Sequence, residues 1–384
     1  METRRFFSES QRFLGSIRHI DWVLIAATLP LLAAGLVTMN SFVGDNYFFE
    51  KQLIWTVLAL SIFFVLSVID FRFLRRTGTI MAFFVGSLVL LGGLFVVGDV
   101  VNGARSWFHL GPFSFQPSDP VKLVTILLLA KYFSKRHVEI AHIRHILVSG
   151  AYVALLAGLV FFEPDFGSAI IIVLVWFGMV FVSGISKKHL AAVLLTAAIV
   201  SGGSWLYLLH DYQKQRIITF IHPLTDIQGA GYNAYQSTIA VGSGELLGKG
   251  LGYGTQSRLQ FLPEYQTDFI FAAFAEEWGF VGVLLLFVCF IVLIWRILQN
   301  AMRGATNFEV LYGVGLAVLF MSHFAVHIGM NMGLLPVTGT TVPFLSYGGS
   351  HLLTEYAGLG ILMGMRRYNR PAHKDDTKNE FVGV

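Results

Sequence analysis

The chain has 384 residues, 55% of them hydrophobic and 13% charged, with a mean hydropathy of +0.66. Soluble domains carry roughly a quarter charged residues; at half that density the apolar side chains must face lipid, which excludes an ordinary soluble protein. The formal net charge of +4 says little by itself, because in a membrane chain the placement of Lys and Arg matters more than their sum. With Cys289 as the only cysteine, no intrachain disulfide can form.

Arg4, Arg5, Arg12 and Arg18 precede an apolar stretch that begins near Ile20 and runs to about Met39. A cleavable signal has an apolar region of roughly 7–15 residues, so this longer stretch reads as a retained first span. Further runs able to cross the bilayer, which takes about 20 residues, lie near 51–69, 79–98, 119–133, 145–162, 167–185, 189–209, 267–297, 309–330 and 347–365. The fold class expected is therefore an all-α polytopic membrane protein with about ten spans, the fourth short. PSDP and PDFG punctuate the runs where helices should stop.

With ten spans both termini share one side. There lie the N-terminal arginines, Arg72, Arg75 and Arg76, Lys131, Lys135, Arg136 and Arg144, Lys187 and Lys188, Arg296 and Arg303, and the C-terminal tail. The positive-inside rule makes that side cytoplasmic. The organisation expected is a cytoplasmic tail over 1–19, one transmembrane domain over 20–366 and a second cytoplasmic tail over 367–384. On the opposite face, 210–266 is far longer than an ordinary connection and rich in Gly, Tyr and Gln, with enough apolar content to fold against the bundle. NGARSWF, FQPSDPVK, EPDFG and LPVTGTTVPFLSYGGS also fall on that face. No internal repeat is evident, nor the paired broken helices of inverted-repeat transporters.

Several motifs have plain readings. GSGELLGKG is no phosphate loop: Ser243 stands where the first Gly is needed and Gly250 where Ser or Thr is needed, leaving a flexible Gly-rich segment. His323 and His327 have one-turn spacing, but Phe324 occupies the catalytic Glu position of a zinc-protease helix, so hydrogen bonding between helices is expected. SYGGS lacks a nearby base and reads as a closely packed loop or helix start.

The acids are more informative. Asp119 and Lys122, three apart, share a helix face and can pair, in either a structural or a functional role. Asp268 in TDFIF could cap the helix that follows, yet capping does not explain the polar FLPEYQ and long loop leading into it. On a straight helix Glu276 lies about 12 Å deeper than Asp268 and roughly 80° around, while Glu277 points nearly opposite. The three cannot form one cluster, and Glu276 and Glu277 read as structural or as lining an internal cleft.

NGARSWF, FQPSDPVKL, EPDFGSA, HDYQKQRI, GAGYNAYQSTIAVGSGELLGKG, GTQSRLQFLPEYQTDFIFAAFAEEWGFVG and LPVTGTTVPFLSYGGS occur in the order found in the SEDS proteins (shape, elongation, division, sporulation). The chain resembles that family nearly throughout, to about Arg370. It is closer to the elongation type, since the division type typically carries a Lys where Thr338 stands. It departs from the family in having Asp119 for the usual Glu and Glu163 for the usual Gln.

The resemblance implies a peptidoglycan glycosyltransferase that polymerises lipid II outside the cytoplasmic membrane of a bacterium. It also implies a class B penicillin-binding protein, the transpeptidase, as partner; membrane lipid is the other expected contact and nucleic acid is not expected. Asp268 matches the family's essential Asp. Converting an α-linked donor into a β-linked strand inverts the anomeric centre, so one displacement with one base suffices and no covalent nucleophile is required. Arg105, Arg216, Lys249 and Arg258 are candidates to hold the leaving diphosphate, with Glu264 and Ser346 as further substrate-binding candidates. Asp119, Lys122, Asp165 and Glu277 would form supporting pairs or line a cleft. A divalent cation, Mg2+ or Mn2+, could assist, with no metal ligands assigned. A lipid II flippase and a non-catalytic scaffold of the cell-wall complex are the alternatives.

Overall fold

In lipid a backbone must satisfy its own hydrogen bonds, so long apolar runs become helices. The computed structural model describes residues 20–41, 47–101, 104–111, 113–135, 143–222, 231–259, 261–262 and 264–367. Its helices are α1 (Trp22–Ser41), α2 (Tyr47–Val68), α3 (Thr77–Val97), α4 (Ser118–Ser134), α5 (Ile143–Phe162), α6 (Phe166–Val182), α7 (Lys187–Tyr207), α8 (Asp211–Ile221), α9 (Tyr232–Ser243), α10 (Thr255–Arg258), α11 (Ile270–Ala301), α12 (Asn307–Asn331) and α13 (Gly349–Arg367). Every span expected from the sequence falls on one of them. Seven (α1, α2, α3, α5, α7, α11 and α12) are long and apolar enough to cross a bilayer, and α6 is a shorter apolar helix. The protein is a polytopic, helical membrane protein.

The sequence reading missed one element. Strands β1 (Asp99–Val101), β2 (Ala104–Leu110) and β3 (Phe113–Phe115) form a small antiparallel sheet in the order β1-β2-β3, with Phe108 opposite Phe115. Short alternating segments of this kind carry a weaker periodic signal than the flanking apolar runs. PSDP also acts differently from expectation: it opens α4 rather than ending a helix, because Pro is tolerated in a first turn.

Helix α4 carries Asp119, Lys122 and Lys131, yet Val121, Ile126, Leu129, Ala130 and Phe133 are all buried. It is surrounded by protein, which is how a short charged helix is tolerated at this depth. Each end of the bundle is tied by polar contacts. At one end Asp21, just before α1, accepts from Arg296 Nη2 at 2.6 Å and Asn300 Nδ2 at 2.7 Å, and Arg366 Nη1 donates to Asn300 Oδ1 at 2.6 Å. At the other end Ser41 Oγ donates to Glu277 Oε1 at 2.5 Å, and Gln52 Nε2 donates to Ser346 O at 3.1 Å.

Helix α11 starts three residues later than expected and is not straight. Gly279 has φ 65° and ψ −168°, a conformation open only to glycine, and it breaks the helical hydrogen-bond ladder. The segment after α9 splints the break. Lys249 N and Gly250 N donate to Glu276 O and Glu277 O at 2.9 and 3.1 Å. In return, Phe280 N and Val281 N donate to Glu245 O and Leu246 O at 2.9 and 3.1 Å. A Cβ on Gly248 would lie 2.1 Å from Glu277 O, and one on Gly244 2.0 Å from Ala275 O. Gly244 and Gly248 of GSGELLGKG therefore serve close backbone approach, and the paired segment corrects the expectation of a flexible one.

Candidate functional site

Helix α11 begins only at Ile270, so Asp268 sits in the turn that leads into it. Asp268 N and Thr267 N both donate to Glu264 O, at 3.0 and 3.1 Å, which winds 264–268 into a tight turn. Three groups, of which Asn331 and Ser346 are buried, hold the turn from outside. Asn331 Nδ2 donates to Asp268 O at 3.0 Å, Ser346 Oγ to Thr267 O at 3.0 Å, and Tyr347 N to Gln266 O at 2.9 Å. Asn331 also receives Ser237 Oγ on its Oδ1 at 3.1 Å, so a single side chain joins α9, α12 and the Asp268 turn.

With its backbone fixed in this way, the Asp268 carboxyl carries no protein hydrogen bond among the described residues. Burial pushes its pKa up to about 7; the nearby Glu264 and Asp165 charges act in the same direction and Arg216 opposes them. Gly339 packs against it: a Cβ there would lie 3.6 Å from Asp268 Oδ2, and its φ of 73° favours glycine. A carboxyl that is half-buried, unbonded and close to half-ionised at neutral pH is suited to accept a proton.

Asp165 caps α6 by accepting from Ser168 N at 3.0 Å, and it also accepts from Gln116 Nε2 at 2.8 Å and Ser118 Oγ at 3.2 Å. Its neighbour Glu163 is buried with both carboxyl oxygens unpartnered. Burial, and then the Asp165 charge, push the Glu163 pKa up to about 8. At neutral pH Glu163 is thus protonated, and its presence instead of Gln adds no charge beside Asp165.

The remaining sequence candidates fall into separate groups. Glu264 and Arg216 are exposed beside Asp268, and Arg216 Nη1 lies 3.4 Å from Val337 O. Arg258 is exposed at the end of α10. The side chain of Arg105 lies outside the described residues. Lys249 turns instead to Glu276, donating to Oε1 at 2.7 Å and to Thr255 Oγ1 at 3.0 Å. Glu276 is fully buried and also receives Gln256 N; Glu277 receives Ser41 Oγ and Gly252 N. Both acids therefore belong to the splint around Gly279, with partners of their own. The buried Ser346 hydroxyl also accepts Val342 N at 2.8 Å, so it fixes the loop rather than pointing outward.

Asp119 and Lys122 pair at 3.0 Å in a cluster the sequence reading only half found. His351 Nδ1 lies 3.3 Å from Asp119 Oδ1 and its Nε2 2.9 Å from Glu355 Oε1, while Glu355 Oε2 receives Phe344 N at 3.0 Å. Glu355 stands one turn after His351, which is a spacing signal, but nothing in the sequence places α13 beside α4. Asn331 carried no signal at all. His323 and His327 are corrected too: their Nδ1 atoms donate to Thr341 O and Thr340 O, at 3.2 and 2.6 Å, so they tie a helix to a loop. Among the described residues no three His, Cys, Asp or Glu side chains are grouped as a metal site.

These features describe a multi-pass membrane protein with a raised carboxyl, Asp268, in the turn between its long loop and α11. The family model for the FtsW/RodA/SpoVE cell cycle proteins matches residues 18–371, and the chain belongs to that family. It is 36% identical over 358 residues to the peptidoglycan glycosyltransferase MrdB of Escherichia coli K12, covering 93% of this chain and 96% of that protein. It is likewise 36% identical over 363 residues to the stage V sporulation protein E of Bacillus subtilis 168, covering 91% and 98%. Among solved structures, a chain from a peptidoglycan synthase complex, described as coordinating polymerization and crosslinking, superposes with a TM-score of 0.77 at 31% identity over 90% of this chain and 97% of that one. The rod shape determining protein RodA of Thermus thermophilus superposes with a TM-score of 0.68 at 30% identity, over 90% and 96%. Within the family the chain is RodA-like rather than FtsW-like.

Proposed function

We propose that the protein is a peptidoglycan glycosyltransferase of the elongation type, polymerising lipid II at the outer face of the cytoplasmic membrane with Asp268 as general base. The observation that carries this reading is the Asp268 carboxyl, held by its main chain, free of protein hydrogen bonds among the described residues, and raised to about 7. In the reaction an acceptor sugar hydroxyl attacks the anomeric carbon of the donor. The new O–C bond forms as the C–O bond to the diphosphate breaks, and Asp268 takes the hydroxyl proton. Arg216, exposed beside Asp268, is assigned to the leaving diphosphate, with Arg258, exposed at the end of α10, as a second candidate. Lys249, being paired with Glu276, is assigned to the fold.

The outward orientation is supported by the basic residues at the opposite end, where Arg296 and Arg366 gather around Asp21. The family relatives named as peptidoglycan glycosyltransferases support the activity. The solved complex that couples polymerization to crosslinking supports a penicillin-binding transpeptidase as partner.

The test is polymerisation of lipid II by the purified chain together with its transpeptidase. Glycan strands from the wild type and none from a folded Asp268→Asn variant are expected. Equal polymer from Asp268→Asn would overturn the base assignment, and transbilayer movement of lipid II without polymer would favour a flippase.

A further inference from the structure

The face of α11 turned away from the bundle exposes Phe280, Val281, Leu284, Leu285, Val288 and Ile291, a stripe at helical spacing. Two contacts fix its depth. Asp21 binds Arg296 and Ser41 binds Glu277, so α1, which spans 20 residues between those contacts, lies antiparallel to residues 277–296 of α11. Twenty residues at 1.5 Å each span about 30 Å, the thickness of the hydrocarbon core. Glu277 therefore marks the acyl boundary at the end of the bundle that carries Asp268.

The splint segment lies at that level. Because Phe280 N and Val281 N bond Glu245 O and Leu246 O, the backbone of 245–246 is fixed alongside the top of the stripe. Leu246 and Leu247 are 68% and 80% exposed, Tyr253 is 68% exposed, and Leu251 is also exposed. Lys249 is exposed but paired with buried Glu276, and Glu245 is an exposed carboxylate at the start of the segment; the other exposed side chains from Leu246 to Tyr253 are Leu246, Leu247, Leu251 and Tyr253. Apolar tips beside Tyr253 and Trp278, at the end of a lipid-facing stripe, have the composition of an interfacial anchor.

We infer that residues 246–253 form an interfacial anchor that inserts Leu246, Leu247 and Leu251 into the acyl boundary of the leaflet on the Asp268 side. The anchor goes beyond the proposed activity and stands whether or not the chain polymerises lipid II. It also sets the height of the site. From Glu277 back to Ile270 the helix runs about 10 Å along its own axis, which places Asp268 on the outer side of the acyl boundary. That is the level at which the sugars of a lipid-linked diphosphate would stand.

The test places a nitroxide on Leu247→Cys, and in parallel on Leu246→Cys, in a Cys289→Ser background reconstituted in phosphatidylethanolamine–phosphatidylglycerol nanodiscs. Oxygen partitions into acyl chains and a polar nickel chelate stays in water, so the ratio of their collision rates reports depth. The expected ratio lies below that of lipid-facing Leu285→Cys, which sits about 12 Å deeper along α11, and well above that of the free label in buffer, because a polar reagent is excluded from apolar surroundings. Either label behaving like the free label would overturn the anchor. So would a label accessible to nickel in the chain alone and protected only after the transpeptidase is added, since the surface would then be a protein interface.

Discussion

The Asp268 carboxyl makes a two-part pH prediction. Its native pKa of about 7 lies above its ordinary 3.8, so the base is ionised only as pH rises through neutrality, and polymerisation should increase with pH across that range. Stability runs the opposite way. Between those two values the native state binds a proton that the unfolded chain has released, so stability falls as pH rises from about 4 to about 7. Glu163, raised from 4.5 to about 8, adds a loss of the same sign extending to higher pH. Thermal melts in detergent at stepped pH should show Asp268→Asn and Glu163→Gln each flattening this decline, while only Asp268→Asn abolishes polymer. Asn331 acts on the same carboxyl through its main chain. Asn331→Ala removes the donor to Asp268 O and the acceptor for Ser237, and should cost about 1–3 kcal/mol of stability through the buried groups left unpaired. Because the turn then loosens, turnover should fall more than apparent lipid II affinity, which steady-state kinetics on the folded variant would separate.

At the scale of elements, the break in α11 and the segment that repairs it act as one unit. An interrupted helix at membrane depth is tolerated only where other protein groups take up the freed hydrogen bonds. Here residues 245–250 supply both donors and acceptors, and the Gly248 backbone must come within touching distance of Glu277 O. Gly248→Ala would place a methyl against a backbone oxygen at a φ of 78° and should destabilise the fold by more than about 1 kcal/mol, chiefly by parting the segment from α11. Faster hydrogen exchange at Phe280 and Val281 is the measurement; unchanged protection there would refute the splint.

Across the whole molecule, the charges buried beneath the site join helices distant in sequence. Asp119 and Lys122 on α4 meet His351 and Glu355 on α13, and Glu355 in turn holds the loop that carries Ser346 to the Asp268 turn. Removing one partner of a buried pair leaves a lone charge and costs about 3–5 kcal/mol, whereas replacing both partners by apolar residues costs far less. Lys122→Met leaves Asp119 only its His351 contact, while Asp119→Leu/Lys122→Met leaves His351 its Glu355 partner, so the single variant should unfold at the lower temperature. If the double variant is stable but makes no polymer, the pair is functional; if it is stable and active, the pair is structural.

How much of this was legible in the sequence depended on the range of the interaction. The spans could be read because burial in lipid imposes a local composition on about 20 consecutive residues. The separation of Glu276 and Glu277 from Asp268 was also legible, since helix geometry acts over a few residues. The break at Gly279 was not, because an isolated glycine in an apolar helix is usually tolerated and reveals itself only when a second segment fills the gap. Lys249 looked free for a diphosphate because its partner Glu276 lies 27 positions away. Asn331 and His351 gained their roles from contacts spanning 63 and 232 positions, and Glu355 gained its role through His351, four positions away. The sequence alone determined that the chain crosses the membrane repeatedly, because hydropathy and charge placement are local properties of the chain, and its resemblance to the family marked Asp268 as the carboxylate to test first. Only the tertiary structure decided what raises that carboxyl and what holds its turn, because desolvation and hydrogen bonding depend on which distant segments pack together.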